Sequence, residues 1–444
     1  PDYLSIILDV NTFDETDLAK RIELMRYETA KYRSSLLNTA WALDYLQEED
    51  LFDSRGNINT YLAYLKMLNR FHTIPVVISE YGVTTGRGKA QVDQYTGRNQ
   101  GFMSEQQQGQ AIIDCYEDIL AAGSAGSCIF TWQDEWFKRT WNTMYAVDLT
   151  KTTYWSDIQT NEQYFGLLAF DAGKERRICY IDGDTEEWKE EDKVYEHNGT
   201  RLSYKYDEKG MYFLIESDFW QGEDSRIWVP IDITPKSGST YAAGAKVTFD
   251  RAADFLVEIN GRTNSHLMVQ ERYDTIRAMY ALEYYGQDFY EQPPAIDSPI
   301  FVDKLLPLTL QGAIPDEDPN VRTGETFNTG KLTYGTNNPA SAGFLSLADF
   351  CFTTNGVELR IPWQILNFSN PSESQVHDDY FSHYGIENLK INQFYIGAAV
   401  EPGSSTHRIP MGAITLEPWK TKVSYHERLK ESYYMIQQHW LGFP

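Results

Sequence analysis

The chain has 444 residues, 42% of them hydrophobic, with 39 Lys and Arg against 64 Asp and Glu and a formal net charge of −25 at pH 7. That length suggests two or more domains with enough apolar content for their cores. The acidic balance argues against a nucleic-acid partner, whose binding rests on clustered Lys and Arg, and against anionic membrane surfaces; no apolar run approaches the ~20 residues that span a bilayer.

The sequence opens with Pro1 rather than methionine and is expected to be a fragment or a processed product. Leu4 to Val10 is a short apolar run. Asp14 or Thr16 can cap a following helix in which Leu18, Ile22, Met25, Thr29 and Tyr32 keep helical spacing, continued by Leu36, Leu37, Trp41 and Leu43 to Leu46. A polar turn over Asp53 to Asn59 precedes a helix over Thr60 to Arg70, with Tyr61, Leu62, Leu65 and Leu68 apolar.

Two short apolar runs, Ile74 to Gly82 and Ser127 to Trp136, each end in acidic and aromatic residues. Neither alternates polar with apolar, which predicts strands buried on both faces, as parallel strands are. Between them Ser104 and Gln107 form a capping box, Ile112, Ile113, Tyr116, Ile119 and Leu120 repeat at helical spacing, and Gly123 stands where a left-handed cap falls. A right-handed crossover makes the two strands parallel and brings Glu80 and the Trp132 to Trp136 cluster to carboxyl ends, the edge where α/β architectures bind ligands. Glu80 reads either as a nucleophile at the rim of a pocket or as a glutamate salt-bridged inside that rim. The loop Val83 to Met103, about twenty residues, is long enough to be functional or simply solvated.

Lys138 to Phe170 remains rich in aromatics, and Ala172 to His197 is acidic and turn-rich, which places a linker at 172–197. From Leu202 the period becomes two. Leu202, Tyr204 and Tyr206, a turn over Asp207 to Gly210, then Met211, Phe213 and Ile215 predict a hairpin, and similar signals surround Asn260-Gly261 and Asn355-Gly356. This half reads as an antiparallel β-sandwich over 198–420. Ser424 and Glu427 suggest a second capping box, opening a terminal helix with Leu429, Tyr433, Ile436 and Trp440 on one face.

Cys115, Cys128, Cys179 and Cys351 show no CxxC spacing and read as small buried thiols. Asp316, Glu317, Asp318 and Asn320 offer oxygen ligands of the kind calcium prefers, but read better as a solvated acidic loop. His377 and His383 lie beside Asp378 and Asp379 without zinc-site spacing. No metal or other cofactor is expected.

Val76-Val77-Ile78-Ser79-Glu80-Tyr81-Gly82, the loop carrying Arg87, Gly97-Arg98-Asn99-Gln100-Gly101, and Phe130-Thr131-Trp132-Gln133-Asp134-Glu135-Trp136-Phe137-Lys138 through Thr140-Trp141-Asn142-Thr143 resemble the last two strands of retaining glycoside hydrolases with a (β/α)8, or TIM, barrel. The likeness covers roughly residues 55 to 170. It implies that 1–171 is the C-terminal portion of such a barrel, that Glu80 is the nucleophile ending the seventh strand, and that Trp132 ends the eighth and floors the sugar. Tyr81, Gln133, Asp134, Glu135 and Trp136 would surround the sugar, and Arg87, Lys89 and Arg98 could approach its polar groups. The superfamily takes its general acid/base from a glutamate after the fourth strand, usually preceded by asparagine. The sequence before Glu80 has no room for strands one to five, and Asn161-Glu162 lies after the eighth strand, so the partner is expected from upstream sequence, with Asp134 or Glu135 as the lesser alternative.

Val357-Glu358-Leu359-Arg360-Ile361-Pro362-Trp363, with Tyr206-Asp207 before Met211-Tyr212-Phe213, resembles family 9 carbohydrate-binding modules over Leu202 to about Leu416. Together the resemblances imply retaining hydrolysis of an oligo- or polysaccharide. The alternatives are a noncatalytic glycan-binding or surface interaction protein on an incomplete barrel, and transglycosylation during polysaccharide assembly.

Overall fold

In the computed structural model the structure describes residues 47–54, 56, 59–93, 99–282, 292–311, 325–401 and 408–442. The apolar run and helices expected before residue 47, together with Arg98 and the acidic group Asp316 to Asn320, lie outside the described residues.

Helix α1 (Thr60–Phe71) is capped by Asn59, whose side chain accepts from the Leu62 N–H. It leads to strand β1 (Val77–Tyr81), helix α2 (Glu105–Ala121) and strand β2 (Gly126–Ile129), and β1 and β2 pair in parallel as the crossover requires. The capping box of α2 is complete: the Ser104 hydroxyl accepts from Gln107 N–H while the Gln107 side chain accepts from Ser104 N–H. Gly123 takes φ +77° just past its end, the left-handed conformation that stops a helix.

The strands are shorter and less buried than expected. Strand β2 ends at Ile129, so Thr131 to Trp136 is loop. One face packs Ile78, Tyr81 and Ile129 against Ile112 and Ile113 of α2, but Val77 is 55% exposed and Cys128 is exposed, contrary to the reading of Cys128 as a buried thiol. The described residues form this two-stranded parallel sheet and no closed barrel.

Two antiparallel sheets form the main body of the second half, with smaller sheets beside them. One orders β11 (Phe350–Phe352), β12 (Gly356–Pro362), β6 (Gly210–Ser217), β5 (Thr200–Asp207) and β4 (Lys193–His197). The other orders β10 (Phe301–Asp303), β9 (His266–Gln270), β8 (Phe255–Asn260), β7 (Arg226–Asp232), β13 (Gln393–Gly397) and β15 (Met411–Thr415), with β14 (Ala399–Glu401) also on β7. The hairpins expected at Asp207 to Gly210, Asn260-Gly261 and Asn355-Gly356 join β5 to β6, β8 to β9 and β11 to β12. Inward residues of both sheets, among them Leu202, Phe213, Ile215, Val229, Phe255, Leu359 and Phe394, share one core. Full burial of each such side chain contributes roughly 1.5–3 kcal/mol.

Many contacts stitch the two halves together, and three of the connecting segments differ from the sequence expectation. The predicted loop after β1 instead forms strands over Lys89–Asp93 and Asn99–Gly101, and the first pairs in parallel with Leu305–Gln311 from the second half. The predicted linker ends in β4, an edge strand of the sandwich. The expected terminal helix begins later than its capping pattern suggested: β16 (Tyr425–Leu429) pairs with β3 (Leu168–Ala172), and helix α3 (Glu431–Leu441) follows and packs on α2. Gly109 is required at that crossing, where an added Cβ would meet Met435 Sδ at 2.8 Å and Ser432 Cα at 3.0 Å. No helix among the described residues is long and apolar enough to cross a membrane.

Candidate functional site

The carboxyl ends of β1 and β2 sort the motif residues into two groups. Glu80, Trp132 and Gln133 are exposed, Trp132 by 54%, and among the described residues the three side chains make no hydrogen bond or ion pair. Glu135 is half-buried, with Oε2 3.6 Å from Lys138 Nζ.

The other expected sugar contacts are interior. Tyr81 is buried in the core it shares with Ile112 and Leu167. Trp136 is 9% exposed, its ring set edge-on to Tyr425 at 6.2 Å. Arg87 is sealed: its guanidinium donates to Asp349, to the carbonyl oxygens of Thr329 and Lys331, and to Gln159 Oε1. A buried guanidinium with its donors taken by protein acceptors holds the halves together and has nothing left for a glycan. Lys89 is half-buried, and burial lowers its pKa from the ordinary value.

Asp134 is buried and accepts from Lys430 Nζ at 2.7 Å, and the same ammonium donates to Thr85 Oγ1 at 3.0 Å and to the Tyr164 carbonyl at 3.3 Å. Lys430 thus ties the segment after β1 to the loop after β2. Two residues earlier, Arg428 donates to both oxygens of Glu105 at the start of α2 and to Asp171 Oδ2 of β3. Burial alone would raise the Glu105 carboxyl, but the Arg428 guanidinium holds it below its usual value. Asp134 is enclosed in this network at 2% exposure; burial raises its pKa while the Lys430 ammonium pulls it back.

Sequence reasoning missed three residues here. Lys430 and Tyr433 come from the C-terminal segment, and nothing local marks a lysine as the partner of an aspartate 296 positions away. Glu162, whose Asn-Glu pair lies on the wrong side of the eighth strand for the acid/base, receives a hydrogen bond from Gln100 at its carboxyl, and its pKa is raised by burial, with Lys138 pulling it back and the Glu135 charge adding to the rise. Asn161 beside it is buried and accepts from Thr140 Oγ1 at 2.8 Å.

Two further groups bear on ligands. A cleft of about 500 Å³ opens between the predicted linker and the second half, lined by Arg176, Ile178, Tyr204, Tyr206 and Trp419; none of the glycosidase-motif residues lines it, whereas Tyr206 and Asp207 of the binding-module motif do. Cys179, Glu187 and Glu358 bring a thiol and two carboxylates within 4.8 Å of one another. Glu358 already accepts from Trp188 Nε1 and from the backbone N–H of Asp182 and Gly183, a complete structural role, and burial pushes its pKa up to about 7. His377 is likewise structural. It is buried between Thr275 Oγ1 and the Ala146 carbonyl, each at 2.7 Å, and burial lowers its pKa to about 3. Comparison of the chain with protein-family models, with curated proteins and with solved structures finds no match.

Proposed function

We propose that this chain carries the nucleophile of a retaining glycoside hydrolase, with Glu80 attacking the anomeric carbon and Trp132 flooring the sugar ring. The observation that carries this reading is selective exposure. At one edge of the parallel pair β1 and β2, Glu80, Trp132 and Gln133 are left to solvent, while Arg87, Asp134 and Trp136 around them are locked into the interior. In this reading β1, α2 and β2 are one strand-helix-strand unit of a (β/α)8 barrel, and the two antiparallel sheets are a module of the carbohydrate-binding kind.

Double displacement needs a second carboxyl about 5–5.5 Å from the nucleophile, acting first as acid and then as base. The glycosidase resemblance assigns that group to sequence ahead of Glu80, and the Lys430 pairing of Asp134 agrees with a partner from elsewhere. The test is hydrolysis of a panel of aryl glycosides by the full-length gene product and by Glu80→Gln. The expected outcome is cleavage with retained anomeric configuration that falls by several orders of magnitude in the variant. Unchanged cleavage in Glu80→Gln would remove Glu80 from the reaction.

A second reading, noncatalytic glycan binding, is favoured by the cleft of about 500 Å³ with Tyr204, Tyr206 and Trp419 in its walls. It is distinguished by glycans that bind the protein while no glycoside in the panel is cleaved.

A further inference from the structure

On the reading of Glu80 and Trp132 just given, we infer that the sugar-binding surface continues from Trp132 onto the C-terminal helix α3, where Tyr433 supplies a second ring wall. The Tyr433 ring stands 6.1 Å from that of Trp132 at 78°, and Tyr434 continues the run at 5.4 Å and 83° from Tyr433. Two rings at right angles make a corner: Trp132 lies under the apolar face of one sugar unit while Tyr433 meets the edge of the next unit along the chain. Tyr434, 45% exposed, is the next residue of the helix, its ring edge-on to that of Tyr433.

The corner differs from an ordinary packing pair. Trp136 and Tyr425 form a similar edge-on pair nearby, and there the indole is 9% exposed. Trp132 keeps 54% of its surface open although Tyr433 stands beside it, so the pair leaves a ring face available. Burial against Tyr433 alone does not account for a tryptophan left so open at the carboxyl end of a strand.

The corner is also held rigidly. Lys430, three residues before Tyr433, anchors the loop that carries Trp132 through Asp134, and Arg428 anchors the same segment to Glu105 and Asp171. Ser432 Oγ donates to Gln108 Oε1 at 2.7 Å, fixing the first turn of α3 on α2. Gln437 Nε2 donates to Tyr433 Oη at 3.2 Å and orients the phenol. Segments fixed by buried partners on both sides of the corner hold the two rings at a set spacing, which lowers the entropic cost of binding.

Two rings on separate elements, Trp132 and Tyr433, suit a substrate that spans more than one sugar ring, so the ligand class is an oligosaccharide or polysaccharide of two or more units. The formal net charge of −25, with Glu80 and Glu135 at the site, disfavours uronic-acid or sulfated chains by like-charge repulsion. An uncharged glycan chain fits both features.

The experiment measures binding of cello-, malto-, xylo- and manno-oligosaccharides of one to six units to the full-length gene product by titration calorimetry. It is repeated with Tyr433→Ala, Tyr433→Trp and the distant exposed control Tyr241→Ala. In at least one series the affinity of the unaltered protein is expected to rise with chain length beyond the first unit. Tyr433→Ala is expected to lose that rise, about tenfold on the longer members, while binding the monosaccharide as before; Tyr433→Trp and Tyr241→Ala are expected to keep it. Binding that is independent of chain length, an unaltered profile in Tyr433→Ala, an equal loss at every length, or a loss that Tyr433→Trp does not restore would overturn the inference, as would failure of all four series to bind. Trapping of Glu80 by a fluorinated glycoside is scored separately, so a length profile that depends on Tyr433 without trapping removes the catalytic reading and leaves this surface standing.

Discussion

The Arg87 guanidinium and the Asp349 carboxylate meet at 3.0 Å with both side chains sealed from solvent, 262 positions apart in the sequence. Arg87 follows the strand that carries Glu80, and Asp349 immediately precedes the edge strand β11 of the sandwich, so the pair clamps the candidate site to the second half. Removing one partner strands a buried charge, which costs about 3–5 kcal/mol. Arg87→Met is therefore expected to lower the unfolding free energy by that order in urea, and the double variant Arg87→Met with Asp349→Leu to lower it by less than the two single changes added. Additive losses would show that the two groups do not interact.

Lys430 has the same character, bonded two residues from Arg87 at Thr85. Its ammonium is buried and bonded to Asp134, Thr85 and Tyr164. Lys430→Met is expected to destabilise the protein by about 3–5 kcal/mol and to speed amide hydrogen exchange in the Thr131 to Trp136 loop more than in the sandwich strands. Uniform exchange changes across the protein would argue for general loosening instead.

The capping box of α2 gives a smaller effect. Ser104→Ala removes the acceptor for the Gln107 N–H and is expected to cost about 1 kcal/mol, read as a shift of the denaturation midpoint with unchanged slope. A shift within error would mean that water replaces the cap at no cost.

Stability should depend on pH through His266. Hydrogen bonds to Asp303 and then Glu258 raise its pKa from the model-compound 6.5 to about 9. Because the folded value lies above the unfolded one, the contribution of the imidazolium is fully present below about pH 6.5 and is lost as pH rises through 9. The difference in unfolding free energy between the unaltered protein and His266→Asn is expected to be largest below pH 6.5 and to shrink toward pH 10. A flat difference over that range would contradict the raised pKa.

What could be read from the sequence was what depends on neighbours in the chain. The Ser104 box, Gly123, the helix over Thr60 to Arg70 and the hairpins at Asp207 to Gly210 and Asn355-Gly356 follow from local capping, periodicity and turn chemistry, and all are present. What failed depends on distant partners. Ser424 and Glu427 have capping-box spacing, but β3 offers an open edge and takes that segment as β16. The residues around Arg87 look like an open loop until Leu305–Gln311 arrives to pair with Lys89–Asp93 and Asp349 to meet the guanidinium. Asp134 looks as available as Glu80 in the sequence; Lys430 decides otherwise.

The most direct measurement is mass spectrometry of the full-length gene product after exposure to a panel of fluorinated glycosides that trap a glycosyl-enzyme, with peptide mapping and Glu80→Gln as control. The account expects a mass increase of one fluorosugar, mapped to Glu80 and absent in the variant. A label mapped to another carboxylate, or glycan binding without any label across the panel, would contradict Glu80 as the nucleophile.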